Sequence, residues 1–160
     1  DFSDIGATVS DVIEIEADNT SDGTAEGSAP VIGTTNTTGA GAGGDLSLVA
    51  GTDTDAIDIL ELTDANLAGR ANVTDLTTST ILYEALSTGG SNAELTNIVV
   101  DTAGDKFYIL AYNNSNAFLF FADSGADENI TKAEVNLVAT INTTAAISTG
   151  DFVDTDFVLG

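Results

Sequence analysis

The stretch DKFYILAYNNSNAFLFFAD, Asp105 to Asp123, constrains this chain more than any other part of it. Two apolar runs, KFYILAY and AFLFFA, flank NNSN, whose residues suit a hairpin turn. Successive side chains of a strand point to opposite faces, so a half-buried strand alternates between apolar and polar. These runs do not alternate. They are apolar at nearly every position, which predicts central strands buried between two layers.

Charge sets the second limit. The 160 residues include 26 acidic side chains and three basic ones, Arg70, Lys106 and Lys132, for a formal net charge of −23. Self-repulsion of this size opposes the compact state unless cations neutralise part of it. Hydrophobic residues still make up 42% of the chain, enough for the core of one domain. The charge excludes nucleic acid and anionic membrane surfaces as partners, because both require a basic footprint. No apolar run approaches the ~18 residues that span a bilayer, so membrane insertion is not expected. His, Cys, Met and Trp are absent. That removes triads built on His or Cys, the usual zinc sites, haem, iron–sulfur clusters and disulfides. Hard-cation chemistry remains, since carboxylates, Asn and main-chain carbonyls are calcium ligands. A calcium-containing extracellular fluid or a high-salt cytoplasm would supply the cations. The start at Asp1 reads as a mature, processed or fragmentary chain.

The remaining segments suggest a mainly β protein, an antiparallel β-sandwich or roll with one short helix at about 77–88. Within residues 1–17, Val9, Ile13, Ile15 and Ala17 alternate with Ser10, Val12, Glu14 and Glu16, the pattern of a half-buried strand. Residues 18–44 turn to Thr, Gly, Asn, Ser and Ala, and read as a long loop or linker around one short strand near Val31 and Ile32. Residues 45–160 form the β-domain, with strands at DLSLVA, AIDILEL, NIVVD and EVNLVATI besides the central pair. Between them Ile81, Leu82, Ala85 and Leu86 share a helical face, Thr77 to Ser79 offer N-caps, and Gly89 supplies a stop.

The most specific local signal is DSGADENITKAE, which nearly matches the twelve-residue EF-hand loop. Asp123, Asp127, the Asn129 carbonyl and Glu134 take ligand positions, and Thr131 could hold a water. Gly125 stands where a ligand belongs and Glu128 where the turn glycine belongs, and the flanks read as strands. An acidic hairpin loop is the plain alternative. GTDTDAID resembles one degenerate turn of the repeat GGxGxDxUx, with Asp53 and Asp55 as candidate ligands. A polar turn entering a strand is the simpler explanation. Six Asn-x-Ser/Thr sites, at Asn19, Asn36, Asn72, Asn113, Asn129 and Asn142, read mostly as turn residues. Only carboxylates are available for catalysis, and nothing singles out a pair, so an enzyme is not expected.

From about Thr77 to the end, the order of helix, strand, DKFYILAYNNSNAFLFFADSGADENITKAEVNLVATI and a closing DFV resembles the C-terminal domains of RTX-type (hemolysin-type calcium-binding) surface proteins secreted by type I systems. The last residues, DTDFVLG, are similar to that family's export signal, an acidic residue followed by apolar ones. The tandem glycine-rich array is missing. The resemblance implies an extracellular or cell-surface protein that depends on Ca2+, and no catalytic residue. The resulting expectation is a calcium-stabilised subunit of a self-assembling surface layer or filament, its N-terminal strand able to exchange between copies. A calcium-dependent adhesin or carbohydrate-binding module, with surface glycans as partners, is the alternative.

Overall fold

The computed structural model describes residues 12–16, 27–34, 45–47, 58–62, 78–86, 97–100, 102–113, 116–142, 146–148 and 150–160. The strands are β1 (Ile13–Ile15), β2 (Ile32–Thr34), β3 (Asp45–Ser47), β4 (Ile59–Glu61), β5 (Asn97–Val99), β6 (Lys106–Asn113), β7 (Asn116–Asp123), β8 (Asn129–Thr131), β9 (Val135–Asn142) and β10 (Phe157–Leu159). One helix, α1 (Ser79–Leu86), lies between β4 and β5. It begins where the sequence offers a cap: the Thr78 hydroxyl accepts the Ile81 N–H at 3.2 Å.

The fold is mainly β, as expected, and β6 is its middle strand. The central sheet runs β2-β4-β6-β7-β9, beside a three-stranded sheet β3-β5-β8 and a two-stranded sheet β1-β10. Between central strands the chain visits the second sheet: β3 follows β2, β5 follows β4, and β8 follows β7. The antiparallel expectation holds for β6–β7, β7–β9 and β5–β8. The ladders β1–β10, β2–β4, β3–β5 and β4–β6 are parallel. Parallel neighbours need long crossovers, and each excursion to the second sheet supplies one, so this half of the chain winds as a roll.

The two apolar runs bury both faces. Phe107, Ile109 and Ala111 of β6, with Phe118, Phe120 and Ala122 of β7, face a core closed by Leu82 and Tyr83 of α1, Ile98 of β5 and Ile130 of β8. Tyr108, Leu110 and Tyr112, with Ala117 and Leu119, face a second core closed by Ile15 of β1, Phe152, and Phe157 and Leu159 of β10. On β9 the apolar residues Val135, Leu137, Ala139 and Ile141 would share one face of a regular strand. The register shifts between Leu119 and Phe120: these pair with Ala139 and Leu137, and Val138 is left over. This bulge sends Val135 and Leu137 to the first core and Ala139 and Ile141 to the second. The surplus Val138 is 56% exposed.

Packing therefore concentrates on β7, and one deletion there should reveal it. Phe120→Ala is expected to cost about 3–5 kcal/mol in urea unfolding. Val138→Ala, on the exposed bulge, is expected to stay within about 0.5 kcal/mol of the parent.

Candidate functional site

The acidic loop between β7 and β9 is ordered by its own carboxylates. Asp123 Oδ1 accepts the Gly125 N–H at 2.8 Å, and Asp127 Oδ1 accepts the Asn129 N–H at 2.8 Å. Glu134 Oε2 accepts both the main-chain N–H and the hydroxyl of Thr131, each at 2.8 Å. Gly125 holds a positive φ of 62°, the conformation its turn requires. Asp123 also faces Lys106 at 3.9 Å, with both side chains well exposed, a pairing of small energetic weight.

The loop does bring the ends of the candidate ligand set together, since the Asp123 N–H donates to the Glu134 carbonyl at 3.3 Å. Among the described residues no three or more acidic side chains are grouped closely enough to share a metal ion, so Asp123, Asp127 and Glu134 are not gathered as a three-carboxylate group in this conformation. Asp53 and Asp55 lie outside the described residues, on the connection between β3 and β4.

A different carboxylate occupies an unusual position. Glu61 of β4 is 3% exposed, between Leu60 and Leu62 of the first core but pointing to the opposite face. Its Oε1 accepts the Tyr112 hydroxyl of β6 and the Gly150 N–H, the latter at 2.8 Å. Its Oε2 accepts no hydrogen bond from the described residues. Phe152 stacks on the Tyr112 ring, with centroids 6.1 Å apart and planes 26° apart, and packs on Phe157 at 5.5 Å. Glu61 therefore fastens the C-terminal segment to the sheet. It also lies in a groove of about 520 Å³ lined by Ala29, Pro30, Val31, Ile32, Gly150, Phe152, Val153 and Asp154. The sequence signal for Glu61 was slight, a single acid inside ILEL, whose cover arrives from residues some 90 positions later.

The C-terminal strand is held from both sides. Val158 pairs with Glu14 and Leu159 with Ile15 in the parallel ladder, and the Gly160 N–H donates to the Ile15 carbonyl at 2.8 Å. On the other side Leu159 donates to the Ser28 carbonyl at 3.0 Å and accepts from the Gly27 N–H. The export-signal-like residues are core residues here: Phe157 and Leu159 are 2% and 1% exposed.

No family model, curated protein or solved structure matches the chain. Among the described residues, no helix is long and apolar enough to cross a membrane. Every Phe and Tyr among them is buried or half-buried, so none forms an exposed platform for a sugar ring.

Two buried phenols, one in each core, make stability depend on pH. Burial, then the hydrogen bond and charge of Glu61, then the charges of Asp151 and Asp156 push Tyr112 well above the usual tyrosine range. Burial does the same to Tyr83, with a main-chain bond at Ile98 opposing it and the Glu134 charge adding to it. The unfolded chain then loses its phenolic protons first, near the ordinary value of about 10. Stability is therefore intact below about pH 10 and falls as the pH rises beyond it. In an alkaline titration, phenolate absorbance from these two tyrosines should rise together with loss of circular dichroism. Tyr112→Phe should reduce the amplitude of that step.

Proposed function

We propose that this chain is a subunit of an extracellular, self-assembling structural protein, joined through exchange of its N-terminal strand and stabilised by calcium. The β1–β10 pair carries the reading. β1 forms one ladder, with β10, and ends about ten residues before Gly27. A ladder between segments this far apart in the chain can form within one copy or between two with the same contacts, the condition for strand exchange. Ten residues reach at most ~35 Å when extended, enough to cross to a neighbour. Ile15, buried in the second core, gives the exchanged strand an apolar anchor. The resemblance to secreted surface proteins and the net charge of −23 point to the same setting.

Deletion of residues 1–17 is expected to leave a folded monomer, whereas the full chain forms larger species by light scattering and ordered polymers by electron microscopy. A register test separates exchange from a closed monomer. Glu14 and Val158 face each other, and the chain has no Cys. Oxidising the double variant Glu14→Cys, Val158→Cys should produce covalent oligomer ladders; disulfides only within single chains would reject exchange.

Calcium enters this reading as the counter-ion for many carboxylates. Millimolar calcium is expected to raise the melting temperature more than sodium chloride of equal ionic strength, and chelator to reverse the gain. A ligand at a hundredfold excess over Kd stabilises the native state by roughly 2.7 kcal/mol. Equal effects of the two salts would reduce calcium to general screening.

A further inference from the structure

We propose that the groove over Glu61 binds an organic cation, an alkylammonium or guanidinium group on a short apolar stem.

The carboxylate is the centre of the argument. Glu61 is 3% exposed and has two donors, the Tyr112 hydroxyl and the Gly150 N–H, both directed at Oε1. A glutamine carbonyl could accept the same two bonds, though more weakly, so fastening the C-terminal segment does not by itself require a charge. Oε2 receives no donor from the described residues, and a cation at that oxygen would add a charge-assisted bond. Oε2 is not among the buried atoms that lack a partner, so it keeps access to solvent at the groove. The surroundings reinforce one sign of charge. Asp154 lines the same groove, and the charges of Asp151 and Asp156 reach Tyr112. Asp154 and Asp156 are each turned to a neighbouring main-chain N–H, of Thr155 and Val153, which fixes them as acceptors.

The groove walls select the stem. Val31 and Val153 are 46% and 41% exposed, and Pro30 and Ile32 extend the apolar lining. The Val31 main chain is tied to β4: its N–H donates to the buried Asp58 Oδ2 at 2.8 Å, and its carbonyl accepts the N–H groups of Asp58 and Ile59. A carboxylate at the floor with aliphatic walls suits a lysine-like or arginine-like group. Among the described residues no three acidic ligands gather here, as a divalent metal would need. The ligand could be a free amine or a basic side chain of an extended peptide. β2 borders the groove and has β4 as its single sheet neighbour among the described strands, so a peptide main chain could pair along its other edge. The proposal is independent of strand exchange.

The test is a titration of amide resonances by NMR at constant ionic strength, with butylammonium, butylguanidinium, a capped Val-Lys-Val peptide and uncharged butanol. The cations should give saturable shifts at Val31, Ile32, Gly150 and Val153. Tighter binding of the peptide identifies a polypeptide as the source, and equal binding a free amine. Glu61→Gln should weaken binding about tenfold or more, the loss expected for a hydrogen bond to a charged group. Val31→Lys, at an exposed position, should weaken it similarly by supplying an ammonium from the rim, and keeps the test decisive if Glu61→Gln fails to fold. Shifts that never saturate, butanol binding as well as butylammonium, or binding unaffected by Val31→Lys would overturn the proposal.

Discussion

Strands β6 and β7 cannot leave either face in water, because Phe, Tyr, Ile, Leu and Ala occupy both. Removing two apolar surfaces from water is the favourable term on which the remaining architecture depends. One surface is covered by α1 and the strands that the chain sends out between its visits to the central sheet. The other is covered by segments from near the two ends, Ile15 on one side and Phe152, Phe157 and Leu159 on the other. The bulge at Val138 lets a single strand, β9, serve both cores.

With three basic residues available, carboxylates find other partners. Asp123, Asp127, Glu134, Asp151, Asp154 and Asp156 each accept a main-chain N–H within three residues of themselves. The acids thus shape turns and leave unmet donors few in the loops where they sit. Net repulsion is untouched by this arrangement, because an amide carries no charge. That is why a chain with well-satisfied acidic turns can still depend on cations in solution.

The parts of the fold legible in the sequence are those determined locally. Two-sided apolarity announced β6 and β7, and the helix starts at the Thr78 cap. The turn before β6 places Gly104 at a φ of 94°, a conformation that favours glycine. The parallel winding was not legible, since IGT, DLS and NIV are too short to show a period, and their partners are chosen by distant chain. The bulge left one sign in the sequence, Val138, an apolar residue that interrupts the alternation from Val135 to Ile141. At the acidic loop, spacing suggested convergent ligands, whereas in the structure Asp123, Asp127 and Glu134 each accept a nearby main-chain N–H. Glu61 was invisible for the opposite reason: its cover comes from Gly150 and Phe152, far along the chain. DTDFVLG, similar in sequence to an export signal, ends in strand β10, and apolar residues at its end serve either role.

The parallel sense of β1 against β10 has a mechanical meaning. The chain enters β1 at one end of the ladder and leaves β10 at the other. Tension arriving ahead of Ile13 and departing beyond Leu159 therefore runs along the strands, in opposite directions on the two of them. It shears the ladder, so its hydrogen bonds and the seated Ile15, Phe157 and Leu159 side chains resist together. An antiparallel pairing of the same segments would have opened like a zipper, one bond at a time. Forced unfolding is governed by the rate of leaving the native state. A short ladder in shear is thus a stiffer joint than its three-residue length suggests.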